Sequence, residues 1–240
     1  MRTYQIIFII LKRWLPLLLI LTGLAIFYYF DLNRFMSFSQ IKAQRITLLA
    51  WRESHYAAAV SIYMLIYILA VATSIPGAVF FTIIGGFFFG IIWGTLYVVI
   101  SATIGAMLLF LAVKTALEPW MSKKTNHWIQ KMRTGFKRGA FQYLIFLRLV
   151  PIFPFWVVNI VSSLLGVRLS TFFLSTIVGI IPGSFVYVLI GNGLGQLLDQ
   201  NKNPNLSIIF TLPVFIPLIA LALLSLFPII LKWIKGNRHE

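Results

Sequence analysis

Long runs of apolar residues dominate the chain, and five of them are long enough to cross a membrane. A spanning helix needs about 20 predominantly apolar residues. The first run follows Lys12 and Arg13, where a secretory signal peptide is the alternative interpretation; because no small-residue cleavage pattern follows Phe30, the sequence favours a retained span. The predicted spans are residues 14–30, 56–74, 93–113, 169–190 and 206–231.

Two further apolar runs, residues 75–92 and 141–166, are interrupted by proline and glycine. Proline removes a backbone donor and clashes with the preceding helical turn, and glycine weakens a helix interior by about 1 kcal/mol relative to alanine. Both runs therefore predict re-entrant hairpins, with two kinked ordinary spans as the alternative. We expect the Gly85-Gly86 pair to form the tip of the first hairpin. The predicted hairpin-forming residues are Pro76, Gly77, Gly85, Gly86, Pro151, Pro154 and Gly166.

The tripeptide Ile-Pro-Gly occurs at residues 75–77 and again at 181–183, and Ile-Gly follows both copies at the same offset. This recurrence is typical of an internal duplication, although in so apolar a chain it also fits chance. Residues 33–52 are expected to link two spans along the membrane interface, and residues 191–205 to form a loop.

Composition narrows the classes of function. The chain is 60% hydrophobic and only 10% charged, whereas soluble proteins are about 25% charged. A soluble enzyme is therefore excluded, and so is a nucleic-acid-binding domain, despite a net charge of +15. No cysteine is present, and only five acids and three histidines are, so we expect no catalytic residues, no metal site and no cofactor.

The basic excess concentrates in residues 114–140, a predicted loop. Trp128, Ile129, Met132 and Phe136 fall on one arc at helical spacing, which predicts an interfacial helix lying on anionic headgroups. A solvated basic loop that only sets topology is the alternative. Arg168, at the start of the fourth span, is expected to anchor at the interface. The predicted interfacial basic residues are Lys123, Lys124, Lys131, Arg133, Lys137, Arg138 and Arg168.

Arg148 is the residue most suggestive of function. An arginine at mid-membrane costs about 2.5–3.5 kcal/mol on insertion scales, and neither hairpin contains an acid to neutralise it. Its expected partners are freed backbone carbonyls, Asn159, water or an anionic ligand, and its guanidinium suits phosphate in particular. An arginine that snorkels to the interface is the alternative. Thr73 and Ser74, which open the first hairpin, are further candidate donors to a lipid headgroup.

Residues 146–159, read as FLRLVPIFPFWVVN, resemble the second conserved block of the DedA superfamily, also described as the SNARE-associated Golgi protein or VTT-domain family. Residues 75–90 resemble its first block. The resemblance implies an all-α polytopic membrane protein, with about five transmembrane helices and two facing re-entrant hairpins in an inverted-repeat arrangement. The implied organisation is an N-terminal span and linker (1–55), a VTT/DedA-like core (56–195), and a C-terminal span with a basic tail (196–240).

The resemblance also implies lipid movement across the bilayer, of phospholipids or of polyprenyl-phosphate carriers. One branch of the superfamily has acids in its first repeat that are thought to support proton coupling. Residues 73–90 contain none, which favours the branch shared with eukaryotic Golgi and endoplasmic-reticulum members.

A lipid translocator of scramblase type is therefore the leading expectation, with membrane lipids that carry anionic or phosphate-bearing headgroups as partners. A proton- or ion-coupled small-solute transporter and a non-transporting membrane scaffold are the alternatives. Short loops and the lack of a sorting tail predict a bacterial inner membrane. The oligomeric state stays open.

Overall fold

The computed structural model describes residues 45–75, 77–123, 139–149 and 153–199, together with three single positions before residue 45. From residue 45 onward, the described residues are almost all helical. The helices are α1 Arg45–Ser54, α2 Tyr56–Ala72, α3 Ala78–Phe89, α4 Ile91–Lys123, α5 Gly139–Leu149, α6 Phe155–Leu164 and α7 Leu169–Asp199.

Helices α4 and α7 are each long and apolar enough to cross a membrane, over Ile91–Ala116 and Leu169–Gln196. Helix α2 reaches that length only together with α1, from which it bends by 112°. These three helices lie where the sequence predicts the spans 56–74, 93–113 and 169–190. The predicted spans 14–30 and 206–231 lie outside the described residues.

Both long helices extend further than the sequence predicts. Helix α7 continues to Asp199, so the predicted loop at residues 191–205 is wrong over its described part. Gly191 within this part of the helix is used for close helix packing, as described below. Helix α4 likewise continues to Lys123 through the first ten residues of the predicted basic loop.

Several polar side chains are buried within the hydrophobic core, and many large apolar side chains face outward, which is unusual in a soluble protein. The fully buried side chains include those of Asn159, Ser101 and Thr176. The rings of Phe110 and Phe172 are also fully buried, and they stack with their centroids 4.5 Å apart. Outward-facing apolar residues recur every three or four positions along α4 and α7, as expected of helix faces solvated by lipid. On these two helices they include Trp93, Leu96, Ile100, Ile104, Leu108, Leu111, Leu174, Val178, Ile181 and Phe185.

Glycines bring α3 into backbone contact with α7. A Cβ on Gly86 would overlap the carbonyl group of Val188, and one on Gly191 would overlap the carbonyl oxygen of Ile83. The predicted hairpin tip at Gly85-Gly86 is therefore wrong, because both glycines lie inside α3 where the helices cross. The chain turns at Gly90 instead, whose φ of +76° is readily adopted only by glycine.

The breaks around the short helices contain residues that the sequence predicts to form hairpins. Gly77 precedes α3 with a φ of +111°, and Gly166 turns the chain from α6 towards α7 with a φ of +71°. Pro154 is the N-cap residue of α6. Pro76 and Pro151 lie outside the described residues.

Candidate functional site

Arg148 lies near the end of α5, where that helix packs closely against α7. A Cβ built on Gly179 of α7 would lie 2.9 Å from the Cβ of Arg148, so only a glycine leaves room for the arginine stem at this contact. The guanidinium therefore reaches the region between α6 and α7.

Two neutral side chains hold the guanidinium. Its Nη2 donates to Oδ1 of Asn159 and to Oγ1 of Thr176, both at 2.8 Å. The hydroxyl of Thr176 in turn donates to the carbonyl oxygen of Phe172 at 2.6 Å. Asn159 is fully buried. The contact between Arg148 and Asn159 confirms the predicted pairing, whereas Thr176 is a partner that the sequence did not reveal.

Aromatic rings complete the immediate surroundings of the cation. The central carbon of the guanidinium lies 4.5 Å from the ring centroid of Phe155 and 5.3 Å from that of Phe172. Both distances are within the range at which a ring face attracts a cation. The rings therefore offset part of the desolvation cost without neutralising the charge.

The charge of Arg148 has no counter-ion among the described residues, where the one ion pair is Arg52 with Glu53 at 3.2 Å. Arginine stays protonated in proteins. Its Nε and Nη1 atoms are buried and, within the described part of the chain, make no hydrogen bond; the same is true of Nδ2 of Asn159. Buried donors of this kind normally have a partner, so the N–H groups of Nε and Nη1 are available to an acceptor that enters the site.

A cleft of about 280 Å³ opens beside the guanidinium. It lies between the two broken segments, since α3 contributes one wall while α5 and α6 contribute another. Four hydroxyl-bearing residues from α2, α3 and α7 are among those that line it, and they are Tyr67, Thr82, Ser184 and Tyr187. Tyr67 and Thr82 are bonded to each other at 2.7 Å. The cleft therefore combines one cation with several neutral polar groups on an otherwise apolar surface.

Two of the predicted ligand residues do not reach the cleft. The Thr73 hydroxyl donates to the carbonyl oxygen of Leu69 at 2.7 Å, as is usual at a helix end. Ser74 adopts a left-handed conformation with a φ of +58° in the same break. Neither residue is among those that line the cleft, so their role as ligands of a headgroup stays a prediction.

The basic residues are only partly described. Arg168 is exposed at the start of α7, as expected for an interfacial anchor, and Lys123 is the last residue of α4. The remaining predicted interfacial residues lie outside the described residues, and they are Lys124, Lys131, Arg133, Lys137 and Arg138. In the described ranges no cluster of three or more potential metal ligands occurs.

Comparison with known proteins identifies the family. Residues 75–193 match the model of the VTT domain. The chain is 30% identical over 185 residues to the Transmembrane protein 41 homolog of Caenorhabditis elegans, an alignment that covers 76% of this chain and 73% of the relative. The chain belongs to the VTT-domain family. The sequence-based expectation of a DedA-superfamily member is thereby confirmed, and the family and the apolar helices together identify an integral membrane protein.

Vertebrate members are similar at the same level. This VTT-domain protein is 30% identical over 195 residues to mouse Transmembrane protein 41B and 29% identical to the human protein, with 80% of this chain covered in both cases. It spans about 65% of the length of those relatives. No solved structure matches the chain.

Proposed function

We propose that this VTT-domain protein is a lipid translocator of scramblase type. The phosphate of a phospholipid or polyprenyl phosphate enters the cleft beside Arg148 while the lipid tails stay in the hydrocarbon. The observation that carries the proposal is the charge of Arg148, which no described residue compensates, together with two buried N–H-bearing nitrogens that have no acceptor among the described residues. A phosphate supplies a negative charge and several acceptor oxygens at once.

The surroundings of Arg148 support passage as well as binding. An ion pair with a carboxylate would hold the guanidinium permanently, whereas Asn159 and Thr176 orient it and leave its charge available. The hydroxyls of Thr82 and Ser184 offer a headgroup further polar contacts along the cleft. Movement of a headgroup through such a cleft makes and breaks no covalent bond, and we propose that the protein is not an enzyme.

The proposal includes the finer architecture and the location. The short helices α3, α5 and α6 would be arms of two re-entrant hairpins, which together with five spans form an inverted repeat around the cleft. The partners would be membrane lipids with anionic or phosphate-bearing headgroups. We propose a bacterial inner membrane as the site of action, although the relatives named above are all eukaryotic.

Lipid movement in proteoliposomes tests the function directly. Purified protein is reconstituted with trace fluorescent phospholipid or polyprenyl phosphate, and the outer-leaflet fraction is followed without an ion gradient. We expect rapid loss of sidedness with the unmodified protein, loss of this activity in Arg148→Ala, and partial activity in Arg148→Lys, which keeps the charge without the fork geometry. Arg168→Ala is the matched control, because that arginine is exposed and lies away from the cleft.

Each alternative function predicts a different result. Movement that requires an imposed proton or ion gradient would indicate a coupled transporter. No movement under either condition, with folded protein, would point to a scaffold. Wild-type activity of a folded Arg148→Ala variant would overturn the assignment of the site.

A further inference from the structure

A second cavity, of about 270 Å³, lies on the other side of α3 from the Arg148 cleft. Residues of α1, α2 and α3 line this cavity. The side chains facing it are almost all apolar and include Leu48, Trp51, Ala59, Ile62, Ile66 and Ile84. It shares no lining residue with the Arg148 cleft.

One charged residue, Arg52, lies at the rim of this cavity. Its Nη1 donates to the carbonyl oxygen of Phe88 near the C-terminal end of α3, and its Nη2 donates to Oε1 of Glu53 at 3.2 Å. The side chain is 25% exposed. The Glu53 carboxylate is 72% exposed, so solvent screens this pair, unlike an ion pair buried in the protein. Since a guanidinium has five N–H groups, Arg52 keeps donors for a further acceptor that approaches from outside.

Exposed aromatic residues set the depth of this rim in the membrane. Trp51, Tyr56 and Trp93 are each more than 40% exposed, and the hydroxyls of Tyr56 and Tyr97 lie 3.2 Å apart. Tryptophan and tyrosine concentrate at membrane–water interfaces. Arg52 is adjacent to Trp51 in α1, which bends by 112° from the span that follows. The guanidinium therefore lies at the level of lipid phosphates.

The cavity continues from this level into the hydrocarbon. It follows α2 as far as Ile66, which at 1.5 Å per residue is about 15 Å below Tyr56. A charge at phosphate depth above an apolar cavity of this depth matches the two chemical parts of a membrane lipid. The surrounding leaflet supplies such molecules at high local concentration.

We propose that this cavity binds one phospholipid, with its phosphate at Arg52 and one acyl chain between α2 and α3. The lipid would rest against the face of α3 that carries Ile84 and Phe88, opposite the face that carries Thr82. This site does not depend on the proposed translocation, and it remains a binding site whether or not Arg148 moves lipids.

Photo-crosslinking in reconstituted membranes tests the site with the full chain. The probe is phosphatidylglycerol with a diazirine midway along one acyl chain, and adducts are mapped by mass spectrometry after digestion. We expect adducts on the cavity residues of α2 and α3. Arg52→Gln should lower their yield about tenfold, as expected for loss of a charge-assisted contact. Adducts at Leu108, on the outward face of α4, serve as the internal reference.

Three further variants separate the site from its alternatives. Ile62→Trp fills the cavity while keeping Arg52 and its bond to α3, and it should also reduce the adducts. Arg168→Gln should not, and Arg148→Ala should keep full labelling even where it abolishes translocation. Cavity adducts no more frequent than those at Leu108, or wild-type labelling in both Arg52→Gln and Ile62→Trp, would overturn the proposal. If labelling fell in Arg52→Gln but not in Ile62→Trp, the proposal would also be contradicted, because the loss would then reflect disturbed packing of α1 against α3.

Discussion

An aspartate at position 159 provides the sharpest test of the idea that uncompensated charge is what the site offers. In Asn159→Asp a carboxylate replaces an amide of almost the same size, at the position where Oδ1 now accepts from Arg148 at 2.8 Å. The new ion pair would neutralise the guanidinium from inside the protein. We therefore expect lipid translocation to be lost while the protein remains folded.

The effect on stability follows from three contributions. Opposite charges about 4 Å apart attract by about 4 kcal/mol at an effective dielectric constant of about 20. The substitution also removes Nδ2 of Asn159, a buried group without a partner, whose burial costs about 1–3 kcal/mol. Burial of the carboxylate costs several kcal/mol in the opposite direction. These contributions nearly cancel, and a change within about 2 kcal/mol corresponds to a Tm shift of at most roughly 8 °C.

The assay combines thermal unfolding in detergent with lipid movement in proteoliposomes, and Asn159→Leu is the matched control. Leucine removes the acceptor without adding charge, so this variant should lose about 1.5–3 kcal/mol of stability, the contribution of a hydrogen bond to a charged group. It should nevertheless retain more activity than the aspartate variant. An Asn159→Asp protein that moves lipids as fast as the unmodified protein would refute the reasoning, because a neutralised arginine would then suffice.

Four other variants test the packing that supports the site. Gly86→Ala places a Cβ against the backbone of α7, which we expect to lower Tm because overpacking costs about 1–3 kcal/mol. Gly183→Ala is the matched control, because no atom lies within 4 Å of the new methyl group, and its Tm should be unchanged or higher. If Gly86→Ala and Gly183→Ala had the same Tm, the close contact of α3 with α7 at Gly86 would be contradicted. Thr176→Val, which removes one acceptor from Arg148, should lower stability by about 1.5–3 kcal/mol in the same thermal assay; an unchanged Tm would show that this bond contributes nothing. Tyr67→Phe removes one bond between α2 and α3, worth about 1 kcal/mol, and should accelerate hydrogen exchange in α3; exchange at the wild-type rate would speak against that role.

The sequence predicts Arg148 and Asn159 because burying an arginine in an apolar segment has a large energetic cost. An arginine inside an apolar run requires a partner, and Asn159, 11 residues away, is the first residue after Arg148 in the same broken segment whose side chain can accept a hydrogen bond. Thr176 is 28 residues further along the chain from Arg148 and sits in an apolar helix. Threonine in such a helix usually bonds to its own backbone, so only the packing of α5 against α7 reveals its second role.

Glycine accounts for the main errors in the predicted fold. The same residue permits a sharp turn or a close helix contact, and sequence alone does not separate the two uses. Gly86 and Gly191 both belong to the contact between α3 and α7, whereas the turn that was expected at Gly86 falls at Gly90. Thr73 and Ser74 carry hydroxyl groups at the start of the first predicted hairpin, but which residues line the cleft depends on how the helices pack, which the sequence does not show.

The length of α3 has an electrical consequence. Its 12 residues make it about 18 Å long, against about 30 Å for the hydrocarbon layer. We therefore expect one of its ends, at Gly77 or Gly90, to place peptide dipoles at the depth of the lipid tails, where such dipoles favour water or other polar groups. We expect the insulating layer beside α3 to be thinner than the undisturbed bilayer, so that an ion or dipole crossing there would meet a narrower dielectric barrier.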